Sequence, residues 1–285
     1  MDAWDAWIGR SENRQDHIDP ALVRRWLAML DMEELSDDVV PQGLHWCLCT
    51  PETATAGLGP DGHPLRDASP NSFLPPVPLP RRMWASSIVE FLTPLHIGEH
   101  LSRRSKIMSI AEKSGGSGSL VFVEVEHLTA GAKGTAIREV QTIVYREAAA
   151  PDAPLTPPPL GETAFNPADW TTHHIVSPNE PMLFRYSALT FNSHRIHYDL
   201  PYATDVERYR GLVVHGPLTA TLMLDLASRQ FGNNALSGFA FRGLSPAICG
   251  ELLHLVMREN DAEIEFGAFA DDGRPVMAAS ATRKI

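Results

Sequence analysis

GLVVHGPLTATLMLDLASRQFG, residues 211–232, is the stretch that decides the fold of this 285-residue chain. As far as Leu226 it is apolar on nearly every helical face, so a helix formed here must be buried on all sides. From residue 235 to the C-terminus the sequence reads as strands separated by Gly, Asn-Asp and Asp-Asp-Gly turns. A buried helix followed by such strands predicts an α+β domain, in which a curved antiparallel sheet wraps one long central helix.

The first half of the chain repeats this order of elements. ALVRRWLAMLD, residues 21–31, places Leu22, Trp26 and Leu30 at helical spacing. Four strand-like runs follow between Trp84 and Arg146, each bounded by Gly or Pro. We therefore expect two halves, each with a long central helix and a curved antiparallel sheet, although no repeat is visible residue by residue.

Two proline-rich stretches set the predicted boundaries. Residues 51–82 contain GLGPDGHPLRD and FLPPVPLPRR, which exclude a helix or central strand and predict an extended overhang across the surface. Residues 151–162 have the composition of a linker. The predicted organisation is an N-terminal domain in residues 1–150, the linker, and a C-terminal domain in residues 163–285.

Composition and charge exclude several classes of protein. Hydrophobic residues make up 44% and charged residues 21% of the chain, as in an ordinary globular protein. No apolar run is long enough for a membrane span, and the N-terminus MDAWDAWIGR is acidic, so we expect a cytoplasmic protein. A net charge of −11 argues against nucleic-acid binding. Neither a phosphate-binding loop nor a dinucleotide fingerprint occurs, and the three cysteines lack C-x-x-C spacing.

Reactive side chains are concentrated in SALTFNSHRIHYD, residues 187–199, just before the buried helix. VVHGPL, residues 213–218, then places Gly216 and Pro217 at the helix start, where amide N–H groups lack partners and the helix dipole is positive. The segment 187–199 offers five side chains for binding or proton transfer: Asn192, His194, His197, Tyr198 and Asp199.

These groups suit the addition of water to a double bond conjugated to a thioester. That reaction needs a base to activate water and a donor for the enolate oxygen that forms. A histidine ordinarily titrates near neutral pH, so we expect His197 to serve as the base and then as proton donor to the α-carbon, and Asn192 can hold a water molecule. The Gly216 amide can stabilise the enolate, because glycine lets the backbone approach a ligand closely.

FNSHRIHYD followed by VVHGPLTATL resembles the hydratase signature of MaoC-like enzymes. That signature is Asp-x-Asn-Pro-x-His-x-Asp, followed by a His-Gly turn into the central helix of a hot-dog fold. Asn192 then takes the place of the family's Asp, and His197 that of its catalytic His. Asp199 matches the next Asp, and His215 and Gly216 match the oxyanion turn. An amide cannot accept a proton as a carboxylate does, so the identity of the base stays open.

A more specific resemblance covers about two-thirds of the chain. TFNSHRIHYD is similar to a subgroup of double hot-dog proteins whose N-terminal half resembles the dehydratase region of type I fatty-acid synthase. PRRMWASS, KSGGSGSLVFVEVEH and REVQTIVYR resemble that half. The resemblance implies an α+β double hot-dog fold and the hydration of itaconyl-CoA or mesaconyl-C4-CoA to citramalyl-CoA. It also implies a homodimer or higher homo-oligomer, and no cofactor beyond the coenzyme A of the substrate.

The resemblance assigns catalysis to the second half. LDMEELSDDVVPQGLHWCLC, residues 30–49, has a turn at Gly43 but no His at the catalytic spacing. We expect the N-terminal hot-dog-like half to be catalytically silent, to shape the acyl pocket and to help bind the coenzyme A tail.

A pocket that binds a dicarboxylic acyl group needs a cation for the distal carboxylate. Arginine is preferred, because its guanidinium can donate two parallel hydrogen bonds to a carboxylate. The candidates, which the sequence does not rank, are Arg195, Arg185 and Arg242. His215 suits a packed or hydrogen-bonded helix-entry residue better than a second base. Arg81 and Arg82 are either phosphate contacts or a solvated pair. The predicted substrate-binding set is His194, Arg195, Tyr198, Asp199, His215, Arg185 and Arg242.

Three alternatives remain beside this interpretation. His194 and His197, at i and i+3, also suit a metal site, but no third ligand stands out and we expect no metal. A (3R)-hydroxyacyl-thioester dehydratase acting on longer acyl chains would run the same chemistry in reverse. A non-catalytic thioester-binding module is the third reading, which Asn192 makes worth testing.

Overall fold

The computed structural model describes residues 4–69, 72–115, 118–260 and 263–284, which form ten strands and three α-helices. The first half contributes β1 (Ser11–His17), α1 (Pro20–Met29), β2 (Arg81–Phe91), β3 (His100–Gly115), β4 (Gly118–Gly131) and β5 (Gly134–Arg146). The second half contributes β6 (Thr172–Val176), α2 (Glu180–Leu189), α3 (Gly216–Phe231), β7 (Leu236–Gly243), β8 (Leu253–Asn260), β9 (Glu263–Ala270) and β10 (Pro275–Arg283).

All ten strands form one antiparallel sheet in the order β1-β3-β4-β5-β2-β7-β10-β9-β8-β6. Each half has the same order from its outer edge to the middle, where β2 pairs with β7 and Ile88 lies opposite Ala240. The repeat extends to single backbone hydrogen bonds. Val40 N donates to the Leu95 carbonyl at 2.9 Å, as Val214 N does to the Ala247 carbonyl at 2.9 Å. Two similar halves are thus joined through their central strands.

Local signals explain where the helices begin. The Asp19 side chain accepts a hydrogen bond from the Ala21 amide, and Pro20 occupies the first position of α1. Asn179 caps α2 in the same way, by accepting from the Met182 amide. In α3, every residue from 218 to 227 is buried, which confirms the prediction of a helix packed on all its faces.

One detail of the predicted architecture differs in the first half. The α+β class and the antiparallel sheets are confirmed, but the described part of that half has a four-residue 3-10 turn, Leu44–Cys47, where a long central helix was expected. The chain then enters the proline-rich overhang, which cannot continue a helix. The space is filled by aromatic rings: Trp46 packs edge-on against Trp84 at 5.9 Å and against Phe241 at 5.7 Å between ring centroids.

Residues 147–171, between β5 and β6, contain no helix or strand apart from a bridge of Thr156 with Tyr209. The domain boundary in residues 151–162 stays a prediction. Within the described residues, no helix has both the length and the apolar content needed to cross a bilayer.

A buried carboxylate anchors the 3-10 turn of the first half. Glu139 on β5 accepts hydrogen bonds from Trp46 Nε1 at 3.2 Å and Ser87 Oγ at 2.5 Å, and His45 Nε2 lies 3.6 Å away. Burial raises the pKa of Glu139, but His45, His127 and Ser87 together lower it to about 2. The carboxylate therefore stays ionised in the folded state at pH values where an unfolded chain would protonate it.

Glu139→Gln is expected to lower the free energy of unfolding at neutral pH and to weaken its dependence on acid. Because the pKa of Glu139 is depressed on folding, its contribution is present above the unfolded pKa and is lost as pH falls from about 4.5 toward about 2. That contribution is roughly 3 kcal/mol. Urea denaturation of wild type and Glu139→Gln between pH 7 and 2.5 measures it, with the exposed Glu52→Gln as control. An equal acid dependence of Glu139→Gln and wild type would contradict the assignment.

Candidate active site

His197 is a buried base with one ring nitrogen fixed and the other open. It ends the 3-10 turn Arg195–His197 between α2 and α3 and is 7% exposed. Its Nδ1 donates to the Val213 carbonyl at 2.7 Å, which leaves the lone pair on Nε2. Nε2 has no partner among the described residues. Burial lowers the pKa of His197 to about 4, so the imidazole is neutral at pH 7 and can accept a proton.

His215 connects this base to the start of α3. The His197 and His215 rings stack with centroids 3.5 Å apart and planes 19° apart. His215 Nε2 lies 2.9 Å from Ser187 Oγ on α2. His215 is only 1% exposed, so its position favours support of His197 over direct contact with a substrate.

Gly216 follows His215 and is the first residue of α3. Gly216 is partly exposed, and its backbone N–H has no hydrogen-bond partner among the described residues. A Cβ at Gly216 would lie 3.8 Å from the Trp84 carbonyl, an ordinary contact, so glycine here provides access to the N–H. Because His197 stacks on the residue before Gly216, the base and this N–H lie at the same end of α3.

Asn192 shapes the turn between α2 and His194. Its backbone N donates to the Ser187 carbonyl at 2.9 Å, and its Oδ1 accepts from His194 N at 3.0 Å. The side-chain amide has no partner among the described residues. Its predicted role in holding the attacking water is not tested by these contacts and stays a prediction.

Arg195, Tyr198 and Asp199 hold the same loop together. Asp199 Oδ2 accepts from Arg195 Nε at 2.9 Å and Nη2 at 2.7 Å, and Arg195 Nη1 donates to the Pro60 carbonyl at 2.8 Å. Tyr198 is 53% exposed and its hydroxyl donates to the Ser193 carbonyl at 3.2 Å. The Arg195 guanidinium is therefore already engaged by protein oxygens.

The structure does not bring the other two predicted arginines to this loop. Arg185 is exposed on α2, and its Nη1 donates to the Ala28 carbonyl at 3.4 Å. Arg242 is exposed on β7, on the strand face opposite the buried Phe241. Neither has a contact with residues 192–199 among those described.

The tip of the proline-rich overhang lies on the loop of residues 192–199, called the active-site loop below. Arg195 N donates to the Asp61 carbonyl at 2.9 Å, and Ser193 Oγ donates to the Gly62 carbonyl at 2.6 Å. The next residue, His63, packs on His194 with ring centroids 4.1 Å apart. The sequence predicted a surface overhang but gave no sign that Asp61 and His63 reach the reactive segment, since more than a hundred residues separate them along the chain.

Burial keeps the histidines of this cluster neutral. It is the main reason that the pKa of His63 and the pKa of His194 lie below their ordinary value, and nearby positive charge, including that of Arg82, lowers both further. Burial likewise holds the pKa of His215 well below its usual range. The site thus offers uncharged imidazoles at neutral pH.

Arg81 and Arg82 have different surroundings. Arg81 is buried, forms an ion pair with Glu207 and lies 5.0 Å over the Tyr209 ring, so it is neither solvated nor free for phosphate. Arg82 is partly buried and has no hydrogen-bond or ion-pair partner among the described residues. Arg82 lies two residues before Trp84 on a regular stretch of β2, so the two side chains are on the same face of the strand.

Three side chains come close enough to suggest a metal site. Donor atoms of Asp61, His63 and His194 lie within 4.8 Å of one another. Asp61 and His63 are thus possible metal ligands beside His194 that the sequence did not reveal. However, Asp61 Oδ2 and His63 Nδ1 hydrogen-bond to each other at 3.0 Å, and Arg82 adds positive charge beside them. The other pair, His194 and His197, meets edge-on with ring centroids 5.5 Å apart, and the expectation that it binds no metal stays a prediction. We interpret Asp61 and His63 as a hydrogen-bonded pair, with His194 packed beside it.

Comparison with known proteins decides the family. A family profile described as Hydroxyacyl-thioester dehydratase type 2 matches residues 43–249, well over half of the chain. The chain belongs to this family of hydroxyacyl-thioester dehydratases. It is also 40% identical over 282 residues to the "Mesaconyl-C(4)-CoA hydratase" of Chloroflexus aurantiacus, with 97% of this chain and 96% of that relative covered.

Solved structures agree on the fold of this dehydratase-family chain. A MaoC-like dehydratase from Phytophthora capsici superposes with a TM-score of 0.69 at 15% identity, covering 100% of this chain and 99% of that one. A Mycobacterium tuberculosis protein described as a double hot-dog fold gives a TM-score of 0.58 at 11% identity, covering 97% and 96%. The predicted α+β double hot-dog fold, the MaoC-like resemblance and the hydro-lyase class are confirmed.

Proposed function

We propose that this chain hydrates a short branched dicarboxylic enoyl-CoA, itaconyl-CoA or mesaconyl-C4-CoA, reversibly to citramalyl-CoA. The observation that carries the proposal is the pairing at one end of α3. A neutral His197 with Nε2 open stacks on the residue that precedes the unpartnered Gly216 N–H. The name of the Chloroflexus aurantiacus relative supports the choice of acyl group.

In the proposed reaction of mesaconyl-C4-CoA, whose double bond is conjugated to the thioester, His197 Nε2 takes a proton from water as the water oxygen attacks the β-carbon. Itaconyl-CoA, whose double bond joins the β-carbon to its methylene group, first loses a proton from the α-carbon and gains one at that methylene carbon, which gives the same conjugated thioester. The electron pair of the double bond moves toward the thioester, whose carbonyl oxygen becomes an enolate. The Gly216 N–H and the positive end of the α3 dipole stabilise that oxygen. The enolate then collapses as the α-carbon takes a proton, from the protonated His197 or from a second group beside it, which completes the addition of water.

A short acyl group fits the filled core beside the site. Trp84, whose carbonyl lies next to Gly216, packs with Trp46 and Phe241 where the described part of the first half has a 3-10 turn in place of a long helix. A long linear acyl chain would have to displace these rings from well-packed contacts. This packing favours the five-carbon diacid over a longer-chain hydroxyacyl substrate.

Arg82 supports recognition of the second carboxylate. In both proposed substrates, that carboxylate sits on the carbon that receives the hydroxyl, and therefore close to His197. Arg82 is a partly buried guanidinium with no hydrogen-bond or ion-pair partner among the described residues, and its charge acts on Asp61, His63 and His194. A carboxylate bound there would gain charge-assisted hydrogen bonds.

Arg82→Gln is expected to lower kcat/KM for mesaconyl-C4-CoA by about 10- to 100-fold, the effect of losing a charge-assisted hydrogen bond. Turnover of crotonyl-CoA, which lacks the second carboxylate, is expected to stay within about threefold of wild type. The exposed Arg24→Gln serves as the matched loss of a positive charge far from the loop. If both substrates were affected equally, Arg82 would not select for the carboxylate.

The substrate assignment is tested by a hydration assay with itaconyl-CoA, mesaconyl-C4-CoA, crotonyl-CoA and a linear eight-carbon enoyl thioester. The proposal expects the highest kcat/KM for one of the two diacids. A preference for the eight-carbon substrate would favour the longer-chain dehydratase instead. Turnover of none of them, with tight binding of CoA esters in calorimetry, would favour a non-catalytic binding module.

Coenzyme A enters the proposed reaction as part of the substrate, and no separate cofactor takes part. The expected location in the cytoplasm and the expected association into a homodimer or higher oligomer remain predictions. Size-exclusion chromatography with light scattering tests the oligomeric state.

A further inference from the structure

The proposed chemistry contains a second proton transfer, to the α-carbon, for which the matched signature of this chain offers only His197. Asn192 stands where the hydratase signature has a carboxylate, and an amide neither accepts nor delivers a proton at neutral pH. Its Oδ1 is also engaged by His194 N at 3.0 Å. A second group that exchanges protons therefore has to lie outside this signature.

The overhang supplies such a group in the pair of Asp61 and His63. His63 Nδ1 donates to Asp61 Oδ2 at 3.0 Å, and the His63 backbone N donates to Asp61 Oδ1 at 3.0 Å. This double contact fixes the orientation of the ring and the tautomer with its lone pair on Nε2. His63 Nε2 has no partner among the described residues, and each of the two side chains is 19% exposed.

His63 is also held at a defined place beside the base. Gly62 and Asp61 are hydrogen-bonded through their carbonyls to the loop of Ser193 and Arg195, so the overhang tip cannot shift independently of that loop. The His63 ring packs on His194 at 4.1 Å between centroids. The His194 ring in turn meets His197 edge-on at 5.5 Å. His194, 8% exposed and without a ring hydrogen bond among the described residues, thus lies between the two.

We propose that His63, oriented by Asp61, is the second proton-transfer group of this active site, supplied by the N-terminal half of the chain. The inference rests on the hydratase chemistry of the proposed function, not on the identity of the acyl group. It also means that the first half takes part in catalysis, where the sequence predicted a silent half.

The protons and electrons of the proposed reaction balance. Mesaconyl-C4-CoA receives the water oxygen at the β-carbon and His197 Nε2 takes one proton of that water, while the electron pair of the double bond moves onto the thioester as an enolate. His197 releases its proton to solvent, and His63 takes up one proton from solvent as an imidazolium that the Asp61 carboxylate stabilises. His63 then gives the proton to the α-carbon as the enolate collapses. Each histidine returns to its neutral state, and no other reactant is consumed.

The ionisation of Asp61 suits this role. Burial raises its pKa, but the two hydrogen bonds from His63, together with the positive charge of Arg82, outweigh burial and hold the pKa of Asp61 below its ordinary value. A carboxylate that stays ionised beside His63 stabilises the transient positive charge on the ring.

The chain offers a matched control for this pair. On the surface, His96 Nδ1 lies 3.2 Å from Asp38 Oδ1, the same kind of imidazole–carboxylate contact away from the active-site loop. We expect His63→Gln to lower kcat by about 10²-fold or more, the usual effect of a proton-transfer group, with KM within about threefold. Asp61→Asn is expected to lower kcat by about tenfold, since it removes only the orienting carboxylate. His96→Gln is expected to match wild type.

Two further measurements separate proton transfer from a structural role. In D2O, wild type is expected to exchange the α-proton of the hydroxyacyl product, and His63→Gln is expected to lose this exchange in proportion to kcat. Added imidazole is expected to restore part of the activity of His63→Ala, but not of His197→Ala, whose ring is buried under the loop. Thermal melts of all variants identify any that fail to fold. Rescue of His63→Ala by imidazole then distinguishes a proton-transfer role of His63 from a structural one.

The outcomes are distinct. A His63→Gln variant within threefold of wild type, with unchanged α-proton exchange, overturns this inference alone. Loss of wild-type activity on dialysis against a chelator, with one zinc bound per chain and displaced in His63→Gln, overturns it in favour of a metal site. A wild type that turns over none of the thioesters overturns the proposed function and this inference together.

Discussion

His197→Ala is expected to lower kcat by about 10²- to 10⁴-fold, the range for removal of a general acid–base group. His197 is the proposed base, whose Nε2 is open while its Nδ1 is fixed to the Val213 carbonyl at 2.7 Å. Alanine leaves no group at this position to take the proton from water. Steady-state kinetics with mesaconyl-C4-CoA and crotonyl-CoA measure the loss, which should affect both substrates because the base serves either acyl group.

The control for this prediction is His174→Ala, an exposed imidazole on β6. It should match wild type in kcat and in thermal stability. A loss of less than tenfold in His197→Ala would mean that another group activates water.

The same base sets the acid limit of the reaction. Because burial lowers the pKa of His197 to about 4, the imidazole remains neutral, and active, well below the ordinary pKa of histidine. The kcat/KM of wild type is therefore expected to stay level as pH falls past 6.5 and to decline only as pH approaches about 4. A decline centred near 6.5 would place the base in a solvated environment, contrary to the buried site.

Gly62→Ala is expected to cost both activity and stability, because the overhang tip has no room for a side chain. A Cβ at Gly62 would lie 1.9 Å from the Ser193 carbonyl oxygen, and its φ of +85° is unfavourable for alanine. The tip must move away from the loop, which breaks the hydrogen bonds to Ser193 and Arg195 and displaces His63. We expect kcat/KM to fall by about 10²-fold and the free energy of unfolding by about 2–4 kcal/mol.

Gly98→Ala separates the two causes of this effect. Gly98 has the same φ of +85° but nothing within 4 Å of a Cβ, so it measures backbone strain alone. We expect it to lose about 1 kcal/mol of stability and no activity. Urea denaturation and steady-state kinetics on both variants give the comparison. Equal behaviour of Gly62→Ala and Gly98→Ala would show that the overhang is not seated on the loop in solution.

Periodicity predicted most of the regular elements, because burial leaves a local pattern. The α3 helix and the four strands after it were found from apolar runs and turn residues, as were α1 and β2 to β5. Two elements were missed for the same reason. The β1 strand, SENRQDH, is polar throughout, and α2 was not predicted because it buries only Leu183 and Tyr186 and so leaves little apolar pattern.

The candidate site divides in a similar way. His197, His215 and Gly216 lie within one short segment, so their order in the chain predicted an oxyanion donor near a base. Asp61 and His63 belong to the other half and carry no motif that marks them, and Arg82 of the same half was predicted only as a phosphate contact or a solvated residue. The sequence also proposed Arg185 and Arg242 for the distal carboxylate, and neither contacts the loop, since the number of arginines near a motif says nothing about the direction of their side chains.

By itself, the sequence determined the buried helix, the strand pattern, the family resemblance and the segment that carries the base, because each depends on neighbours within about twenty residues. Only the tertiary structure decided that the first half has a 3-10 turn in place of a long helix, and that aromatic rings fill the space. It also placed the overhang on the active-site loop and set His63 against His194. The physical reason is that such contacts join residues far apart in the chain, and their energies depend on packing and burial that no local pattern records.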